Sequence, residues 1–202
     1  VFVFHGPLTG NVNAADASAT FLGPAEEVQA GTAVVAGDLD GDGYDDLVTS
    51  APLFTADDDE EGAVFVVLGP LEGDRVLSDA DGMVTGAVRR DRIGDSLDAG
   101  PDVNRDEIGD LLIGAVQADT EEQGADSGQA WLFVGPVEGR LSTDDATVRL
   151  PAEAARDGAG SAVAFAGDTN GDGLADVLVG ALDSDAAGTD AGAAYLLLGT
   201  SY

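Results

Sequence analysis

Nine residues, Asp38-Leu39-Asp40-Gly41-Asp42-Gly43-Tyr44-Asp45-Asp46, carry oxygen side chains at positions 1, 3, 5 and 9 and a glycine at position 6. This spacing turns alternate side chains into one small volume. A hard cation such as Ca²⁺ takes about six to eight oxygens at about 2.3–2.6 Å. On this reading Asp38, Asp40 and Asp42 are the first three ligands, the main-chain carbonyl of Tyr44 is the fourth, and Asp46 closes the cage. Gly43 allows the sharp turn, because a residue without Cβ takes positive φ freely. The pattern returns as Asp102, Asn104, Asp106 and Asp110, with Ile108 at position 7. It returns again as Asp168, Asn170, Asp172 and Asp176, with Gly173 at position 6 and Leu174 at position 7. The loops begin at residues 38, 102 and 168, so they lie 64 and 66 residues apart. Coincidence in an Asp-rich chain does not give so even a period. The second loop is the poorest match: Glu107 stands at position 6, where left-handed backbone costs a residue with Cβ on the order of 1 kcal/mol.

An EF-hand needs a bidentate Glu at position 12 and a helix after the loop. Position 12 here is Thr49, Ile113 or Val179. Each loop instead leads into a short, β-branched apolar run ended by a small residue: Leu47-Val48-Thr49-Ser50, Leu111-Leu112-Ile113-Gly114 and Val177-Leu178-Val179-Gly180. Such runs read as buried strands. Each calcium loop therefore lies between two strands.

A second phrase shares the period. Val1 to Phe4 precedes His5-Gly6-Pro7-Leu8-Thr9-Gly10; Val64 to Leu68 precedes Gly69-Pro70-Leu71-Glu72-Gly73; Ala130 to Val134 precedes Gly135-Pro136-Val137-Glu138-Gly139; Ala193 to Leu198 precedes Gly199. Each repeat reads as four strands. Strand a is rich in small residues (Gly31 to Ala36, Gly94 to Leu97, Gly160 to Phe165), and the calcium loop and the buried strand b come after it. An acidic, Gly-rich loop leads to strand c, as at Gly62 to Leu68. The Gly-Pro turn leads to a weaker strand d: Ala19 to Leu22, Met83 to Thr85, and Thr147 to Leu150. Small residues suit strands crowded at an axis, apolar residues on both faces suit a strand between neighbouring sheets, and the short polar strand suits an outer edge. Four antiparallel strands per repeat of this length predict the blades of a β-propeller. Residues 1–22 then supply outer strands of a preceding blade, 23–86 the first repeat, 87–150 the second, and 151–202 an incomplete third.

The chain resembles the FG-GAP repeat family, the repeat that builds the integrin α-subunit propeller and many bacterial surface proteins. The "FG" position is matched by Ala30-Gly31, Ile93-Gly94 and Ala159-Gly160, and the "GAP" position by Ser50-Ala51-Pro52, Gly114-Ala115-Val116 and Gly180-Ala181-Leu182. The calcium loop between them is the specific part, and the resemblance covers essentially the whole chain. No repeat has Phe at the "FG" site, one keeps Pro, and three full repeats stand where the family's propellers typically close with seven. The resemblance implies an all-β, partial propeller of integrin-α type. It also implies a calcium-binding, non-enzymatic binding or adhesion module, placed outside the cell or at its surface. A structural arm of a larger extracellular hydrolase is the alternative it allows.

Charge and composition narrow the partners. The formal charge is −31, and every basic residue is Arg, which disfavours nucleic acid and anionic membrane surfaces. There is no Cys, which excludes disulfides and thiolate chemistry, and no apolar run long enough to span a membrane. His5, the single His, reads as an accidental surface residue, and no acid/base pair stands out among the many carboxylates. The run Asp57 to Glu61 reads as a solvated loop before it reads as a further cation site. Phe65, Trp131 and Tyr195 read as blade-packing aromatics. Because strands alternate in direction, the calcium loops share one face with the c–d loops. A protein or glycan partner is expected on the opposite face, and open blade ends predict self-association or flanking blades.

Overall fold

The computed structural model describes residues 1–56, 60–120 and 123–199. Its strands, in chain order, are β1 (Phe2–Val3), β2 (Ala19–Leu22), β3 (Val34–Gly37), β4 (Asp46–Ala51), β5 (Ala63–Val67), β6 (Gly73–Val76), β7 (Gly82–Thr85), β8 (Ser96–Ala99), β9 (Leu111–Ala115), β10 (Gln129–Phe133), β11 (Gly139–Ser142), β12 (Val148–Pro151), β13 (Ala159–Gly167), β14 (Asp176–Ala181) and β15 (Ala193–Leu197). They form four sheets, ordered β1-β2-β6, β11-β7-β5-β4-β3, β12-β10-β9-β8 and β13-β14-β15.

The third sheet is a four-stranded antiparallel meander. Its pairs run Leu97↔Ile113, Trp131↔Ile113 and Trp131↔Arg149. The second sheet repeats that order and adds a fifth strand. The polar character of strand d made it an expected outer edge. Instead, the connections after the Gly69-Pro70 and Gly135-Pro136 turns run out as further strands and lie parallel on strand d of the preceding unit: β6 on β2, and β11 on β7. The Gly6-Pro7, Gly69-Pro70 and Gly135-Pro136 peptides are all cis. A short 3-10 turn comes after each connection, at Ala14–Asp16, Leu77–Asp79 and Thr143–Asp145.

The sheets stack face to face, and apolar side chains fill the three gaps. Phe21, Leu47, Phe65, Val67 and Met83 close the first, where Phe54 meets Phe65 edge-on at 5.7 Å between centroids. Leu39, Val66, Val84, Ile113 and Trp131 close the second. Leu112, Leu132, Val163, Val177 and Val179 close the third. A strand covered on both faces must be apolar on both, and every residue of β5 and β10 is buried. β15 (Ala-Ala-Tyr-Leu-Leu) is also largely apolar but has no buried residue, since among the described residues no sheet covers its far face. Phe65 and Trp131 are core residues, and Tyr195 packs on a small cluster around Ala159 and Ala181.

The small residues expected in strand a meet at the inner side of the stack. Strand β13 packs on β8 and β9. A Cβ added at Gly114 would lie 2.3 Å from the Gly160 carbonyl oxygen, and one at Gly160 would lie 2.3 Å from that of Gln129. Only glycine fits where backbones approach so closely.

Candidate metal centres

Each acidic loop joins an inner strand to the buried strand beside it: β3 to β4, β8 to β9 and β13 to β14. The loop backbone itself aims the carboxylates inward. In the first loop Asp38 Oδ1 accepts from Gly41 N at 2.8 Å and Oδ2 from Gly43 N at 2.9 Å; Asp40 Oδ1 accepts from Asp42 N at 3.0 Å, and Asp42 Oδ1 from Tyr44 N at 2.8 Å. Each carboxylate is thereby fixed by one oxygen or both. Asp38, Asp40 and Asp42 each bring an oxygen within 4.8 Å of the others. Three anionic oxygens so close repel unless a cation lies among them, and an all-oxygen set suits Ca²⁺ in preference to a softer metal.

The other loops repeat the wiring. Asp102 Oδ2 accepts from Glu107 N at 2.8 Å, and Asp106 Oδ1 from Ile108 N at 2.9 Å. Asp168 Oδ2 accepts from Gly173 N at 2.7 Å, and Asp172 Oδ1 from Leu174 N at 2.9 Å. At position 3, the Asn104 and Asn170 amides donate to Asp106 and Asp172 at 2.9 and 2.8 Å. The amide relieves repulsion that a third carboxylate would add. Burial works against the Asp102 carboxylate, but bonds from the Glu107, Arg105, Asn104 and Asp106 N–H groups outweigh it and hold its pKa below the ordinary value.

Position 9 has a role that spacing did not reveal. Asp46 is fully buried; its Oδ2 accepts from Leu39 N at 2.7 Å and its Oδ1 from Gly69 N at 2.8 Å. Asp110 does the same with Val103 N at 2.7 Å and Gly135 N at 3.0 Å. Asp176 takes Thr169 N and Gly199 N, both at 2.8 Å, and also the Thr169 hydroxyl. Each carboxylate thus ties its loop to the glycine that ends strand c. Burial raises the pKa of Asp46 and Asp110, while the Thr169 hydroxyl leads the contacts that lower that of Asp176. Of the position-7 residues, Tyr44 is exposed, Ile108 half-buried and Leu174 buried.

The second loop keeps the left-handed turn despite its side chains: Arg105 and Glu107 have φ of 68° and 71°, where the first loop has Gly41 at 78° and Gly43 at 88°. Arg105 then reaches the third loop, where its Nη2 donates to the Asp172 carbonyl at 2.8 Å. The first and second loops are joined by Gly109 N donating to the Asp38 carbonyl at 2.9 Å. The three loops therefore form one linked row. Sequence reasoning missed Arg105; its one visible signal was a lone basic residue at a position that is glycine in the other two loops.

Other acidic candidates have structural roles. In the run 57–61, Asp57, Asp58 and Asp59 lie outside the described residues. Glu60 pairs with Arg92, and buried Glu61 accepts from Ala56 N at 2.7 Å. His5 is exposed, and its main-chain N–H donates to Ser18. Asp91 is buried between two loops and accepts from Asp119 N at 3.3 Å. Burial pushes its pKa up to about 7, the Asp119 charge adds to the shift, and the Asp119 and Val88 N–H groups oppose it. A folded-state value above the unfolded one, about 3.9, means that the folded state holds the proton more tightly. The stability from this group is complete below about pH 4 and is lost as pH rises through about 7. Asp91→Asn keeps an acceptor and removes the charge. The variant is expected to melt higher than the parent at pH 8 and no higher at pH 4; parallel stability curves across that range would refute the assignment.

The fold and loops define a repeat protein of the propeller type with an oxygen-rich loop in each of three repeats. Comparison places it further: the FG-GAP repeat family matches residues 30–67 and 159–197, which contain the first and third loops. The chain is 31% identical to Integrin alpha-PS2 of Drosophila melanogaster over 168 residues, covering 77% of this chain and 12% of that protein. It is 32% identical to Integrin alpha-IIb of Mus musculus over 156 residues, covering 75% and 14%. It is 31% identical to Integrin alpha-5 of Xenopus laevis over 162 residues, covering 77% and 15%. The chain belongs to the FG-GAP repeat family and has the fold of a partial β-propeller. It spans about an eighth of the length of the relatives it matches.

Proposed function

We propose that this chain is a calcium-stabilised propeller segment of an extracellular or surface-attached protein, working as a non-enzymatic binding or adhesion module. The observation that carries the reading is the convergence of the Asp38, Asp40 and Asp42 carboxylates, with the same backbone wiring in the second and third loops. Asp38, Asp40, Asp42, Asp46 and the Tyr44 carbonyl would hold the first ion. Asp102, Asn104, Asp106, Asp110 and the Ile108 carbonyl would hold the second. Asp168, Asn170, Asp172, Asp176 and the Leu174 carbonyl would hold the third. When bound, the ion supplies positive charge and rigidity to a loop whose own oxygens repel. The units are residues 1–22, 23–86, 87–150 and 151–202, each contributing strands to a blade.

The face away from these loops is the one we assign to a protein or glycan partner. There the b–c and d–a loops knit together: Ile93 N donates to the Glu61 carbonyl at 3.2 Å, and Asp183 N to that of Asp157 at 3.0 Å. Asp42→Ala removes a central ligand and leaves neighbouring carboxylates without a cation, whereas Glu26→Ala alters an exposed acid elsewhere. Calorimetric calcium titration is expected to show one site fewer for Asp42→Ala and an unchanged count for Glu26→Ala. Identical titrations for the two variants would show the ligand assignment to be wrong.

A further inference from the structure

The first and second gaps between sheets are built from the same positions. In the first, Phe54 leans edge-on against Phe65, and Ala63, Leu77 and Met83 pack around them. Backbone geometry identifies each counterpart in the second gap. Phe54 N donates to the Ala51 carbonyl, and the Phe54 carbonyl accepts from Gly62 N; Ala118 does the same with Ala115 and Gly128. Phe65 pairs with Met83 as Trp131 pairs with Arg149. Ala63, which pairs with Ala51, corresponds to Gln129, which pairs with Ala115. Leu77 and Thr143 each open the 3-10 turn of their unit. The aromatic plug Phe54 is therefore an alanine in the second gap, and its apolar neighbours Ala63, Leu77 and Met83 become Gln129, Thr143 and Arg149.

The second gap holds a cleft of about 420 Å³ lined by Asp91, Asp119, Gln129, Trp131, Thr143 and Arg149, with Ala87, Val88 and Pro151 at its apolar edge. Small-molecule sites typically measure about 300–1,000 Å³. Every lining residue falls between Ala87 and Pro151, so the cleft belongs to the two middle sheets. Asp91 and Asp119 place it among the d–a and b–c loops, on the face away from the metal loops.

Two of its wall groups lack partners. Gln129 is 8% exposed and Trp131 3%. Neither the Gln129 amide nor the Trp131 indole N–H makes a hydrogen bond among the described residues. The two stand two places apart on β10 and so share one face of the sheet. A buried polar group without a partner is costly unless water or a ligand supplies one.

The charged groups, in contrast, are engaged. Arg149 Nη2 donates to the Asp144 carboxylate at 2.8 Å and to its carbonyl at 3.1 Å. Asp119 Oδ1 accepts from Asp126 N at 2.8 Å, and Asp91 Oδ1 from Asp119 N at 3.3 Å. The Thr143 hydroxyl accepts from Ala87 N at 2.9 Å, which leaves its own hydrogen to donate. An anion would meet Asp91, Asp119 and Asp144. A cation would meet carboxylates already accepting protons, with Arg149 beside them. The unspent capacity is neutral: an amide that donates and accepts, an indole N–H and a hydroxyl.

We propose, on the reading of this chain as a binding module, that the cleft between the second and third sheets takes a neutral pyranose ring of a glycan. Sugar hydroxyls donate and accept, as the Gln129 amide and Thr143 hydroxyl do. The C–H face of the ring suits Trp131 and the apolar edge, since an indole offers an apolar body and a polar N–H together.

Trp131 is the single Trp of the chain, so tryptophan fluorescence reports on this cleft. The methyl glycosides of glucose, galactose, mannose and N-acetylglucosamine are titrated into the whole chain in calcium. At least one is expected to shift the emission to saturation. Ala118→Phe restores the plug of the first gap; it is expected to abolish the response and to melt no lower than the parent. Gln129→Ala restores Ala63 of the first gap and is expected to bind about tenfold more weakly. Silence with all four glycosides overturns the proposal, as does a response that survives Ala118→Phe or is undiminished in Gln129→Ala. A response to arginine amide and to no glycoside overturns it too, because the carboxylates then set the specificity. Calcium titration of the same sample keeps the two readings apart. Calcium bound and sugar refused removes the sugar site alone; neither bound removes the calcium-stabilised module as well.

Discussion

Gly94→Ala and Gly160→Ala are expected to lower the melting temperature by about 4–16 °C, and Gly31→Ala by about 2–4 °C. The three glycines hold the same place in successive repeats, with φ of 98°, 79° and 96°. Alanine in a left-handed backbone costs about 1 kcal/mol at each of them. The surroundings differ. A Cβ at Gly160 would lie 2.3 Å from the Gln129 carbonyl oxygen and 2.9 Å from Ala115 N, both backbone atoms of strands that cannot rotate away. At Gly94 it would lie 2.4 Å from the Cβ of buried Ser50. At Gly31 the nearest atom is a Val1 methyl at 3.5 Å, an ordinary contact. Overpacking adds about 1–3 kcal/mol at the two crowded sites. For a domain of this size 1 kcal/mol is worth about 2–4 °C. Calorimetry on the three variants separates the contributions, and equal melting points would mean that the sheets do not approach each other as described.

Much of this architecture is legible in the sequence alone. The oxygen spacing locates the three loops, and the apolar runs after them are β4, β9 and β14. That strand c lies between two neighbouring sheets is legible too, because a strand covered on both faces must be apolar on both, as β5 and β10 are. The exchange of outer strands is not. Gly73-Asp74-Arg75-Val76 and Gly139-Arg140-Leu141-Ser142 are short, polar and without alternation, and their partners belong to the preceding repeat. Nothing local distinguishes such a segment from a turn. The double contact of the position-9 carboxylates is hidden for a related reason: Gly69, Gly135 and Gly199 lie more than twenty residues from the loops they hold. Arg105 is hidden because its partners are main-chain carbonyls, which any sequence would provide.

Removing calcium is expected to lower the melting temperature by about 8–16 °C at a calcium concentration tenfold above Kd. On the proposed reading each site then contributes roughly 1.4 kcal/mol by linkage, the ion binding the folded loops and not the unfolded chain. Three sites give about 4 kcal/mol, a large share of the roughly 5–15 kcal/mol that holds a domain together. Two features of this chain shape the response. With a formal charge of −31, added sodium chloride screens repulsion whether or not calcium is present. Salt should therefore raise the melting temperature of the chelated protein without reproducing the calcium increment. The loops are also linked, through Arg105 and through Gly109 N on the Asp38 carbonyl. An ion that orders one loop lowers the entropic cost of ordering the next, so titration should be positively cooperative, and Arg105→Ala should reduce the cooperativity while leaving the number of sites unchanged. Scanning calorimetry in calcium and in chelator, at matched ionic strength, reads the first expectation. Coincident melting curves would mean that the three loops are closed by their own hydrogen bonds and hold no ion.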